Sequence, residues 1–160
     1  MKPVFAFALA AVAVAQAASA QQAAQPVTLK SETFVVRPVT DASGNKKNNL
    51  QSTNDTAVLP GDPLVFLLSW KNNTTKPVSG FVINNPIPNS TVYTGARDPQ
   101  PVVSVDGGKT FGPLAAQKVK GADGKLRAAN PTDVTGLRWT LAQPIAPGGT
   151  GSVAFFALVK

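Results

Sequence analysis

Leu64-Val65-Phe66-Leu67-Leu68-Ser69-Trp70-Lys71 is the stretch on which the reading of this 160-residue chain turns. Leu64, Phe66, Leu68 and Trp70 share one parity; Val65, Leu67, Ser69 and Lys71 share the other and become polar towards the end. That two-residue period, rich in aromatic and branched side chains, is a strand with one face in a core. Residues 137–141 repeat the pattern, with Leu137, Trp139 and Leu141 inward and Arg138 and Thr140 outward. Residues 151–159 are apolar on both faces, with Phe155 and Phe156 adjacent, as a central strand requires. Shorter strands are expected over 78–84 and 91–94. No stretch after residue 25 keeps a helical period for three turns, so the fold class is all-β, built from short strands between Pro, Gly, Asn and Asp.

The turns are chemically specific. Pro60-Gly61-Asp62-Pro63 leads into the Leu64 strand, and Pro147-Gly148-Gly149 leads into the last one. Asp106-Gly107-Gly108 and Asp123-Gly124 read as hairpin turns, because glycine accepts the positive φ these need. Residues 41–56 hold one apolar residue beyond alanine, Leu50, and are expected as a mobile loop or an exposed edge hairpin turning at Ser43-Gly44-Asn45. The first strand, over 27–37, carries a conflict: Val27 and Leu29 share one parity, Phe34 and Val36 the other. One register cannot bury all four on a single face, which predicts a bulge or a strand that changes sheet.

Upstream of the strands, Met1-Lys2 is followed by the apolar run Val4 to Val14 and by Ala18-Ser19-Ala20. This is the three-part pattern of a secretory signal peptide over 1–20, with cleavage expected after Ala20. The run is shorter than the roughly 18 apolar residues of a membrane helix, and no span is expected in the mature chain. The expected organisation is one domain, with a first strand and polar segment over 21–57 and a sandwich core over 58–160. The expected location is the periplasm or the medium.

Composition removes much chemistry. The chain has no His and no Cys, so a Ser-His-Asp triad, a thiol nucleophile and a zinc finger are excluded. Glu32 is the only glutamate, and the seven Asp residues sit mostly beside turn formers. No catalytic residue, metal site or cofactor is expected. Ser104-Val105-Asp106-Gly107-Gly108-Lys109-Thr110-Phe111 fits the Asp-box pattern familiar from sialidases, where it is a hairpin device. With one copy, one Tyr and four Arg, a glycosidase site is not expected. A Lys–Asn crosslink between Lys71 and Asn84 or Asn85 lacks the acid that would move its protons.

Taken in order, Val58 to Phe66 with its Pro-Gly-Asp turn, Ser69-Trp70-Lys71-Asn72, the corner Asn84-Asn85-Pro86-Ile87-Pro88 and the closing Pro147-Gly148-Gly149-Thr150-Gly151-Ser152-Val153 resemble the bacterial conserved repeat domain family, domain of unknown function eleven. The resemblance spans residues 58–159. It implies an immunoglobulin-like β-sandwich of about seven strands on envelope or secreted proteins, often in tandem; this chain carries one copy.

The chain is basic, with 15 Lys plus Arg against 8 Asp plus Glu and a net charge of +7. A two-residue turn at Asp123-Gly124 would pair Lys120 with Arg127 and put Lys118, Lys120, Lys125 and Arg127 on one face. Such a face suits an anionic surface polymer, lipopolysaccharide or acidic polysaccharide. Nucleic acid is not expected, because the patch lacks interleaved aromatic residues. The leading expectation is a non-catalytic structural or interaction module that meets envelope proteins or its own copies at exposed strand edges. In one version the first strand is donated to a neighbouring subunit.

Overall fold

The computed structural model describes residues 26–160; the signal peptide and its cleavage after Ala20 lie outside them. The described residues form ten strands, two short 3-10 turns and no α-helix. In chain order the strands are β1 (Val27–Thr40), β2 (Lys46–Ser52), β3 (Pro63–Asn72), β4 (Val82–Pro86), β5 (Thr91–Ala96), β6 (Val102–Ser104), β7 (Lys118–Lys120), β8 (Leu126–Ala128), β9 (Gly136–Thr140) and β10 (Thr150–Val159). All pairings are antiparallel. A five-stranded sheet runs β2-β1-β3-β10-β5, a three-stranded sheet runs β4-β9-β6, and β7-β8 stand as a separate hairpin. Ten strands stand in place of the expected seven or so: β2, β7 and β8 are the short arms of the two hairpins that the turns announce, and the three-residue β6 is too short to carry a pattern.

The two larger sheets share one core. Val35, Leu64, Phe66, Leu68, Val153, Phe155 and Ala157 come from the first; Ile83, Val103, Leu137 and Trp139 come from the second. At its centre the rings of Phe66 and Phe155 stack 4.5 Å apart and nearly parallel, and Trp139 tilts onto Phe155 at 6.4 Å. β3 and β10 alternate as the sequence predicts, and β10 is central, paired with β3 on one side and β5 on the other.

The conflict in the first strand resolves differently from expectation. β1 keeps one unbroken register with β3 from Val27 opposite Asn72 to Val35 opposite Leu64, with no bulge and no change of sheet. Val35 fills the core at 0 % exposure, and Phe34 and Val36 point to the other side. Both parities are apolar because both faces of this sheet are apolar. β1 also pairs with β2, so both of its sides are taken within the chain; this corrects the donated-strand expectation. Residues 41–56 are the expected edge hairpin, closed where Asp41 N–H donates to the Asn45 carbonyl at 2.9 Å and Gly44 takes φ +81°.

The Pro-Gly-Asp turn does more than start β3. Asp62 N–H donates to the Leu59 carbonyl at 3.0 Å across Pro60 and Gly61, whose φ is +86°; this is a type II turn. The Asp62 carboxylate accepts from Arg37 of β1 through both guanidinium ends, and from Leu59 N–H at 2.7 Å. The Arg37 hydrogen bonds, then that of Leu59, hold the Asp62 carboxyl below its ordinary value. One acid thus ties the β2–β3 connection to β1.

Candidate functional site

The basic hairpin forms, one residue out of the expected register. Lys118 faces Ala128, Val119 faces Arg127 and Lys120 faces Leu126. Gly121 N–H donates to the Lys125 carbonyl at 2.8 Å, which closes a three-residue loop over Ala122, Asp123 and Gly124, with Gly124 at φ +76°. A single positive-φ glycine suits that longer loop; a two-residue type I′ turn needs two such residues. The slip moves Lys125 and Arg127 to the face opposite Lys118 and Lys120, so the single four-cation face does not form. Arg127 is also engaged: its two terminal nitrogens each donate at 2.7 Å to Asp133. That pair, with Asn130 N–H, lowers the Asp133 carboxyl to about 2.

The Asp-box forms as a turn. Asp106 accepts from Lys109 N–H, from Thr110 N–H and from the Thr110 hydroxyl at 2.6 Å, and Ser104 donates to it at 2.7 Å. These hydrogen bonds, with the Thr110 hydroxyl foremost, hold its carboxyl far below the ordinary range. Gly107 and Gly108 both have positive φ, and a Cβ on Gly108 would meet the Phe111 ring at 3.9 Å; the aromatic lies beneath the loop, as expected. Lys71 sits in the five-stranded sheet while Asn84 and Asn85 sit in the other, so the crosslinking pair is not brought together. Among the described residues no group of three or more Asp, Glu, His or Cys is placed to hold a metal ion.

Two surfaces emerge that were not assembled from the sequence. The first is the outer face of the five-stranded sheet. Phe34, Val65 and Phe156 lie side by side across β1, β3 and β10. In the next row Leu67 stands between Glu32 and Ala154, and Leu158 faces Val92 on the other side. Val36 faces Leu50, which is 51 % exposed. Phe34, Val36, Val65, Leu67 and Phe156 are all partly exposed, and none of them belongs to the core or packs against it. Glu32, Lys30 and Lys71 mark the polar end of the face. The two-sided apolarity of residues 151–159 was the available signal; its extension to β1 and β3 required the register.

The second surface is a cleft of about 620 Å³ beside the Asp-box, where β4 ends and β9 begins. Arg138 and Asn84 are paired on the outward side of the three-stranded sheet. The guanidinium carbon of Arg138 lies 3.8 Å from the centroid of the Phe111 ring, and its Nε donates to Asn84 Oδ1 at 2.7 Å. Lys160 also lines the cleft and donates from Nζ to the Asn89 carbonyl at 2.8 Å. The outward parity of Arg138 was legible; its meeting with Phe111, 27 positions earlier, was not.

No helix among the described residues is long and apolar enough to cross a membrane. Comparison with family models, with curated proteins and with solved structures finds no match.

Proposed function

We propose that this chain is a non-catalytic interaction module of the bacterial envelope or the medium. It acts by packing the outer face of its five-stranded sheet against another sheet, that of a second copy. One observation carries the reading: over residues 64–68 and 153–158, β3 and β10 are apolar on both faces, and one face suffices for the core. An antiparallel sheet that borders water on one side ordinarily alternates to polar residues there. Contiguous apolar surface of this kind marks a protein contact, and stacked sheets pack such faces together about 10 Å apart. The row of Phe34, Val65 and Phe156 has no charged side chain, and Glu32, which stands beside Leu67 in the next row, is paired with Lys30 at 2.9 Å, so its charge is matched within the chain.

The immunoglobulin-like assignment and the kinship with conserved repeat domains belong to the same proposal. They rest on the order of the Pro-Gly-Asp turn, the Asn-Pro corner and the closing Pro-Gly turn around a shared two-sheet core. Secretion rests on the pattern over 1–20 and is read by sequencing the N-terminus of the protein recovered outside the cytoplasm.

The test of the contact is native mass by light scattering on the mature chain, with Phe156→Lys and Val65→Lys beside the parent. The expected result is a parent heavier than one chain and lysine variants at one chain's mass with undiminished melting temperature. A parent that runs as a single chain across the accessible concentration range overturns the proposal.

A further inference from the structure

The cleft beside the Asp-box is independent of the apolar face, on a different sheet, and has the chemistry of a ligand site. Its wall carries two cations, Arg138 and Lys160, and no acid. The acids closest in sequence to its lining are committed elsewhere: Asp106 to the turn around Thr110, and Asp133 to Arg127 and Asn130 N–H. The remaining polar groups are the amides of Asn84, Asn85 and Asn89, above buried Ile87, Val134 and Leu137; the hydroxyls of Thr132 and Thr135 donate to Asn130 Oδ1 and to the Ser104 carbonyl and face a ligand as acceptors. Its volume falls in the range of small-molecule sites.

Arg138 is held in advance of any ligand. Phe111 supports one face of the guanidinium, as aromatic rings do for arginine. Asn84 fixes Nε, which sets the rotation of the planar group. No carboxylate pairs with Arg138 among the described residues, whereas Arg37 and Arg127 each have one. The two terminal nitrogens therefore keep their fork of N–H donors for an oxyanion that accepts through two oxygens. Lys160 adds a second positive charge and, beyond its bond to Asn89, has further N–H donors.

We propose that this cleft binds an acidic saccharide. The carboxylate of a uronate-type sugar takes the Arg138 fork, and its ring hydroxyls exchange hydrogen bonds with the asparagine amides and donate to the Thr132 hydroxyl oxygen. A bare phosphate would use the cations and leave the amides and hydroxyls to water. The sugar uses both sets, and its C–H faces suit the exposed rings of Pro86 and Pro88.

The test is titration calorimetry of the mature protein with tri-galacturonate, a neutral trisaccharide of glucose, and inorganic phosphate, at fixed ionic strength. The expected result is binding of tri-galacturonate alone. Arg138→Gln weakens it by about tenfold or more, the loss typical of one charge-assisted fork. Arg138→Lys, which keeps the charge and lacks the fork, falls between the two, and Lys120→Gln on the remote hairpin leaves binding unchanged. Melting curves of the Arg138 variants that match the parent assign the loss to the cleft. Failure of tri-galacturonate to bind the parent overturns the proposal, as does equal affinity for phosphate or equal weakening by Arg138→Gln and Lys120→Gln. Because Phe156→Lys leaves the cleft intact, saccharide binding by that variant separates this proposal from the apolar-face contact.

Discussion

Trp70 lies against Gly151 so closely that a Cβ at position 151 would stand 2.4 Å from Cζ2 of the indole and 2.7 Å from Cε2. The two residues face each other across β3 and β10. The glycine is there for space, since its backbone lies outside the positive-φ region. Gly151→Ala is expected to displace the indole and to cost about 1–3 kcal/mol, the range for overpacking a filled site. Urea denaturation checks this, and the second half of a mutant cycle sharpens it. In a Trp70→Leu background the same alanine is expected to cost much less, because the atoms it meets are gone.

Asn72 ends β3 with a fully buried amide. Its Nδ2 donates to the carbonyls of Lys76, Ile145 and Ala146 at 2.9–3.1 Å, and Oδ1 accepts from Thr74 N–H and from the Thr74 hydroxyl. One side chain thus fastens the exit of β3 to the approach of β10. Asn72→Ala strips both sets of partners and is expected to cost about 2–3 kcal/mol. Asn72→Asp is nearly the same shape but replaces the donor with an oxygen facing three carbonyls, and is expected to cost more than the alanine. Chemical denaturation of the two variants side by side gives the ordering.

Stability is expected to be flat from about pH 5 to 8, because the chain has no histidine to titrate there. Asp62, Asp106 and Asp133 are all held below the ordinary carboxylate range in the fold. Their contribution is therefore present in full above the unfolded value of about 4 and is lost as pH falls through the folded values. Thermal melts from pH 8 to pH 2 are expected to show a plateau followed by a decline that begins near pH 4. Asp106→Asn is expected to lower the plateau and make the acid decline shallower.

Much of the fold was legible because the decisive strands are locally unambiguous. β3, β9 and β10 follow from the alternation of Leu64 to Trp70, Leu137 to Leu141 and Val153 to Ala157, and the Asp-box declared its own geometry through Ser104, Asp106 and Thr110. Pairings between distant strands were less so. The hairpin slipped by one residue because Asp123-Gly124 fits both a two-residue and a three-residue loop, and only the backbone distinguishes them. Phe34 and Val36 looked like an irregularity in one strand and are part of a second apolar face, which exists only when β1, β3 and β10 are laid in register. The stack of Arg138 on Phe111 joins a strand to a hairpin with no local signal in either.

β2 closes one edge of the large sheet with Lys46, Lys47, Asn48 and Asn49 exposed along it. Lysines on a border strand oppose the docking of another strand alongside. Growth in the plane of the sheet is thus discouraged on that side, while stacking perpendicular to the plane is not. An assembly made through the outer face consumes that face in each participant and leaves nothing for a third to hold. Its stoichiometry is capped by geometry: the mass should rise in one step and then saturate, without the open-ended series that edge-to-edge addition produces.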